Sequence, residues 1–220
     1  MEQKSETSSR GCATRQALID AGCVLFGQKG FYASSTREIA KAAGANQALI
    51  GFHFGGKEGL YSAVLDCVEK QLCERLMPSA ETSRRLAEAE GSTDEKTVCL
   101  LAIGEMIDNL VEVLIDPQLE AWVCVILQEQ QNVSCAYERV FNNFVAPHFN
   151  FLLGLVSRVR PDCNATENRL TTVILIGQIL AFRPAQSLIL KHMHWREFGP
   201  EEVRAIKKAV RANLTLPFRA

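Results

Sequence analysis

The side chains best suited to specific chemistry crowd into one short stretch, from Thr36 to Lys57, which reads TREIAKAAGANQALIGFHFGGK. Arg37 is a cationic group of the kind that binds phosphate oxygens, and Thr36, His53 and Lys57 lie in the same stretch. Gln47 carries a carboxamide whose carbonyl and N–H can pair with the edge of an adenine, and the methyl groups of Leu49 can meet that of thymine. Asn46 is a short polar residue of the sort that caps a helix, and Phe52 belongs to the same helix. Together these types point to duplex DNA as the partner. From Arg10 to Lys57 six basic residues stand against two acidic ones, in a chain whose formal net charge is −1. Attraction to a polyanion is therefore a local property of this segment. Within it, Phe54 is read as core and Lys41 as a solvated surface charge.

Other chemistries lack their residues. The sequence has no Gly-x-Ser-x-Gly elbow and no His-Glu-x-x-His pair, and Gly51 to Lys57 lacks the Gly-Lys-Ser/Thr ending of a phosphate-binding loop. An enzyme is not expected, and no cofactor is implied. His192 and His194 are two ligands short of a structural zinc site, so no metal is expected either. The eight cysteines are dispersed, with no close Cys-x-x-Cys pair, and read as reduced, mostly buried thiols. Cys12 and Cys23 have no cluster of cations that would make either of them a reactive thiolate. No uninterrupted apolar run reaches the roughly 18 residues of a membrane span, and the polar start of the chain does not read as a signal peptide. A cytoplasmic protein is expected.

The elements that position these residues are helical throughout. Ala17, Leu18, Ala21, Val24, Leu25 and Phe26 line one face of a first helix, which Gly27 and Gly30 are expected to end. A second short helix opens at Ser35 or Thr36, turns Ile39, Ala40 and Ala43 inward and stops at Gly44; a third, capped by Asn46, spans about 47–52. The spacing is that of a helix-turn-helix, in which one helix crosses the backbone while the next enters the major groove. A longer amphipathic helix then runs to Pro78. The 220-residue, 47% hydrophobic chain divides by this reading into a DNA-binding domain over 10–60, a connecting helix over 61–78 and an all-α effector-binding and dimerisation domain over 79–220.

Thr36, Ile39-Ala40, Ala43-Gly44, Asn46, His53-Phe54 and Lys57-Glu58-Gly59-Leu60, with Phe26 to Phe31 upstream, resemble the signature of TetR-family regulators. The resemblance spans Thr14 to Tyr61. It implies that Thr36 caps the second helix and holds a phosphate, and that His53 and Lys57 contact the backbone. Ala48, Leu49 and Gly51 depart from the glycine, threonine and tyrosine common in that family, and Gly51 costs its helix about 1 kcal/mol relative to alanine. Gln47, Phe52 and His53 are left as the side chains most able to face DNA.

Further along, Ala146-Pro147-His148 and the run from Ile176 to Arg183 resemble the subgroup of that family that represses drug-efflux genes in enteric bacteria. The resemblance implies a homodimer on a palindromic operator, repressing and released by a small amphipathic or apolar effector. A C-terminal domain that binds a protein partner instead is the competing reading. Apolar stripes on the two penultimate helices supply the expected dimer face: Leu152, Leu155, Val156, Val159, Val173, Ile174, Gly177 and Leu180. Trp122, Tyr137, Phe141, Phe144, His148, Gln178 and Phe182 are the candidates for an effector pocket, although aromatic residues at helical spacing more often fill a core.

Overall fold

The computed structural model describes the backbone of residues 2–214 and the side chains of residues 11–79 and 81–213. Arg10, the start of the expected DNA-binding segment, has its side chain outside the described residues, as does the end of the expected C-terminal domain. In chain order the helices are α1 (Glu2–Ala33), α2 (Thr36–Ala42), α3 (Ala48–Phe54), α4 (Lys57–Leu76), α5 (Ala80–Glu88), α6 (Glu95–Ile115), α7 (Glu120–Gln131), α8 (Tyr137–Val140), α9 (Ala146–Val159), α10 (Ala165–Leu180), α11 (Gln186–Met193) and α12 (Pro200–Leu214). A 3-10 turn, Pro117–Leu119, precedes α7, and a π-helical turn, Phe141–Val145, joins α8 to α9. No strand occurs among the described residues, so the fold is all-α.

The chain packs as two compact units, one of residues 1–71 and 120–143, the other of residues 72–119 and 144–220. This differs from the boundary expected after residue 78, because α7 and α8 pack with the first unit. The cause is local. Gly27 was expected to end α1; instead the helix continues through it and kinks at Gly30, whose φ is 77°. A Cβ at Gly27 would stand 2.9 Å from the Ala121 carbonyl oxygen and 3.1 Å from the Cys124 Cβ, so only glycine lets α1 and α7 approach this closely. Leu18, Phe26, Ile39, Ile50, Leu60 and Leu65 fill the core of this unit.

A buried carboxylate fastens the same helices from another side. Glu129 on α7 is 1% exposed and accepts hydrogen bonds from the Tyr61 hydroxyl of α4 at 2.5 Å, the Ser134 amide at 2.9 Å and the Ser134 hydroxyl at 2.7 Å. A buried charge needs such donors. Burial, and then the bond to Glu129, push the Tyr61 phenol above its ordinary range. Tyr61 also meets Phe26 edge-on, with ring centroids 4.7 Å apart. Arg139 of α8 adds a salt bridge to Asp66 on α4.

In the second unit α6 is apolar on nearly all sides and packs against α5, α9, α10 and α12. Ile103 and Ile107 meet a core completed by Leu155, Val156, Leu175 and Ile179. Asn164 and Glu167 form a reciprocal capping box at the start of α10. Between α8 and α9 the helix is interrupted ahead of Pro147. It has no N–H to give, and its ring would crowd the carbonyl of residue 143 in a regular helix; the chain widens into the π-helical turn just before it.

Candidate nucleic-acid interface

The hydrogen bonds that shape α2 and α3 are short-range, which is why the sequence forms them locally. Ser35, not Thr36, caps α2: its hydroxyl accepts from the Glu38 amide while the Glu38 carboxylate accepts from the Ser35 amide. Lys29 of α1 closes on the same carboxylate at 2.8 Å. The Lys29 bond first, and those of Ser35 next, lower the Glu38 carboxyl to about 2. Glu38 is one of the two acids already set against the six bases of this segment, so the pairing leaves its basic excess unchanged. After α2 the chain reverses at Gly44, whose φ is 63°, and the Asn46 side chain accepts from the Ala48 amide at 2.9 Å, opening α3 as expected of a capping residue.

Relieved of capping, the Thr36 hydroxyl accepts a hydrogen bond from the Gln47 carboxamide at 2.9 Å, joining the first residue of α2 to the residue just before α3. Arg37, Asn46, Gln47 and Phe52 are exposed; Thr36, Leu49, His53 and Lys57 are half-buried; Ile50 anchors α3 in the core. Phe52 is 81% exposed, a large apolar ring presented to solvent by a helix whose other face is buried. His53 lies edge-on between it and Phe54, with centroids 5.0 and 6.0 Å away, and Phe54 lies beneath the Arg15 guanidinium at 5.1 Å.

Lys57 does not extend freely. Its ammonium sits 4.6 Å from the centre of the Phe31 ring and donates to the Tyr32 carbonyl at 3.4 Å, so its charge is held beside Tyr32, an exposed residue that the sequence reading passed over. Gly59 explains why α4 can start so close to α3: a Cβ there would fall 1.8 Å from the Phe54 carbonyl oxygen.

The remaining expected residues are dispersed. Trp122, Tyr137 and Phe141 belong to the first unit, whereas Phe144, His148, Gln178 and Phe182 belong to the second, so the seven do not gather within one unit. Both ring nitrogens of His148 face backbone carbonyls, those of Phe144 and Cys73. Of the eight residues expected at a dimer face, Leu152, Leu155, Val156 and Val159 are instead buried in the core of their own unit, because α9 turns its apolar stripe toward α6. Val173, Ile174 and Gly177 are exposed, joined by Leu170, and Leu180 is half-buried. Among the thiols only Cys23 and Cys99 are fully buried, and all eight are unbridged. Burial pushes the Cys23 thiol up to about 12, which leaves it protonated. No group of three metal-ligating side chains occurs among the described residues, and no helix there is long and apolar enough to cross a membrane.

Residues 18–64, which hold this geometry, match the model for bacterial regulatory proteins of the tetR family, and residues 101–220 match that for the C-terminal domain of the HTH-type transcriptional dual regulator CecR. The chain is 32% identical to CecR of Shigella flexneri over 94% of its own length and 92% of the relative's. It belongs to the TetR family of transcriptional regulators. The probable HTH-type transcriptional regulator YttP of Bacillus subtilis is 48% identical over 22% of this chain and 23% of its own. Solved TetR-family structures share the fold: SCO3833 of Streptomyces coelicolor covers 92% of this chain and 91% of its own with a TM-score of 0.64 at 18% identity, and a regulator of Bordetella parapertussis 91% and 93% with 0.63 at 17%. This TetR-family regulator is thus a member of a DNA-binding family, and its α2–α3 pair is the family's helix-turn-helix.

Proposed function

We propose that the protein is a cytoplasmic, ligand-responsive repressor that binds a palindromic operator as a homodimer and is released by a small amphipathic or apolar effector. The observation that carries the DNA-reading half is the surface of α3, where Gln47 and Phe52 stand exposed beside Thr36, Arg37, His53 and Lys57. In this reading Gln47 pairs with a base edge, Leu49 and Phe52 meet thymine methyl groups, and Thr36, Arg37, His53 and Lys57 bind phosphates. Asn46 acts through its cap, which orders the first turn of α3.

A second copy is proposed to dock on α10. Leu170, Val173, Ile174 and Gly177 follow helical spacing on one exposed side, while Thr171, Leu175 and Ile179 bury the other. A helix apolar on both sides needs a partner for each. For the effector, the second unit supplies a groove of about 540 Å³ bordered by Arg75, Asn109, Glu112, Phe198, Pro200 and Val203. Its size falls among those of small-molecule sites, and its mixture of charged and apolar walls suits an amphipathic molecule. None of the seven side chains expected to line a pocket borders it.

Binding of effector and of operator must weaken each other by the same factor if the two compete for different states of the dimer. Titrating a library of amphipathic compounds against operator-bound protein tests this: a compound that raises the DNA dissociation constant, and loses that effect when Val203 is replaced by glutamate, supports the reading. If no compound acts while a partner protein alters operator affinity, the C-terminal unit serves a protein contact instead. A reporter that falls when the gene is deleted would show activation rather than repression.

A further inference from the structure

We infer that Thr36 is a specificity-positioning residue: its hydroxyl fixes which end of the Gln47 carboxamide faces DNA, and so sets adenine over guanine at one position of each half-site. The inference rests on the proposed reading of bases by α3 and adds to it a mechanism for choosing between purines.

The geometry begins with Ser35. Because Ser35 and Glu38 satisfy the start of α2, the Thr36 hydroxyl has no capping duty, and it lies 2.9 Å from the Gln47 amide nitrogen, which donates to it. A hydroxyl has one proton and can serve either end of a carboxamide, accepting from the N–H or donating to the carbonyl. What decides is where its own proton goes. A phosphate oxygen only accepts, so a Thr36 hydroxyl bound to phosphate gives up its proton there and offers Gln47 nothing but a lone pair. The carboxamide must then turn an N–H toward Thr36, the orientation already present without DNA.

The remaining atoms have a matching purine. With one N–H spent on Thr36, the amide presents its carbonyl and the N–H beside it, which complement the N6 amino group and N7 of adenine. The opposite orientation would direct the carbonyl to Thr36 and leave two N–H donors, which complement N7 and O6 of guanine. Phosphate, Thr36, Gln47 and base thus form one chain of hydrogen bonds in which a contact without sequence information imposes a choice of sequence. Both side chains are on the accessible surface of the unit, Gln47 exposed and Thr36 half-buried, and among the described residues Thr36 is the side-chain partner of the Gln47 amide.

The full-length wild type is used to select duplexes from a random library, and the enriched site is then remade with each purine at every half-site position. Binding is compared for wild type, T36S, T36V and Q47A. The expected result is one position where wild type and T36S favour adenine over guanine roughly tenfold or more, where T36V brings the two within about threefold, and where Q47A shows no preference. T36V will also weaken binding to all sites through its lost phosphate contact, but only the ratio carries the inference. An unchanged adenine-to-guanine ratio in T36V, beside a ratio abolished in Q47A, overturns the role of Thr36 and leaves Gln47 a reader. A ratio unchanged in Q47A, or a selection that enriches no site, overturns the reading of bases by α3 itself.

Discussion

Replacing Ile174 with aspartate should dissociate the proposed dimer and leave the fold of each chain intact. Burying a whole isoleucine side chain is worth about 1.5–3 kcal/mol. Ile174 is 63% exposed within its own chain, so about 1–2 kcal/mol remains to be gained when a second copy covers it. Two-fold symmetry makes the substitution twice in every dimer, which brings the loss to about 2–4 kcal/mol, a rise in the dimer dissociation constant of roughly 30- to 900-fold. The charge that aspartate would bury can only add to this. Because the side chain is a surface one in the single chain, thermal unfolding of the isolated subunit should move by no more than about 0.5 kcal/mol. Leu175, its neighbour on α10, provides the opposite control: it is 1% exposed, and its replacement by alanine should cost about 2–5 kcal/mol of fold stability. Sedimentation velocity across a concentration series, paired with circular dichroism melts, reads both quantities. An I174D protein that remains a dimer of unchanged affinity would refute the placing of the interface on α10.

Tyr61→Phe removes one of the donors to the buried Glu129 carboxylate and should cost about 1.5–3 kcal/mol in urea unfolding. Since the folded phenol titrates above its ordinary value of 10, its contribution is complete below that pH and is lost as pH rises beyond it, so the gap between wild type and Y61F should narrow in alkaline melts. Gly27→Ala should destabilise by about 1–3 kcal/mol as α1 and α7 are forced apart, whereas Gly51→Ala, whose new Cβ meets nothing within 4 Å, should stabilise α3 by about 1 kcal/mol; paired thermal melts separate the two. Lys57→Gln should weaken binding to all duplexes alike and reduce the slope of log affinity against log salt by about two for the dimer; a changed base preference in its place would contradict its role as a phosphate contact.

The helix-turn-helix was legible because its determinants lie within a few residues of one another. Ser35 with Glu38, Gly44, and Asn46 with Ala48 each act over three residues or fewer, and sequence spacing displays them. The assignment of the α2 cap narrowed from two adjacent hydroxyls to Ser35 only once the Glu38 bonds were visible. Glu129 and Tyr61 are 68 residues apart, and nothing in either neighbourhood marks the other as its partner; the joining of α7 to the first unit was therefore hidden. Gly27 shows the same ambiguity, since a glycine that ends a helix and one that admits a neighbouring helix look alike in a sequence. Periodicity identified the apolar stripe of α9 but not what it packs on, so Leu152 and Val156 were expected at a dimer face and are found in the core. On α10 the adjacent Ile174 and Leu175 face opposite ways, which no single stripe conveys.

Recognition of operator DNA by a dimer of this TetR-family regulator can be read from footprinting of the protein on the DNA immediately upstream of its own gene at physiological salt. Two protected half-sites of inverted sequence, spaced about one helical turn or 34–36 Å apart and lost in a Q47A variant, are predicted. Affinity no greater than for unrelated DNA of the same length, both across this region and on duplexes selected from a random library, would contradict sequence-specific binding.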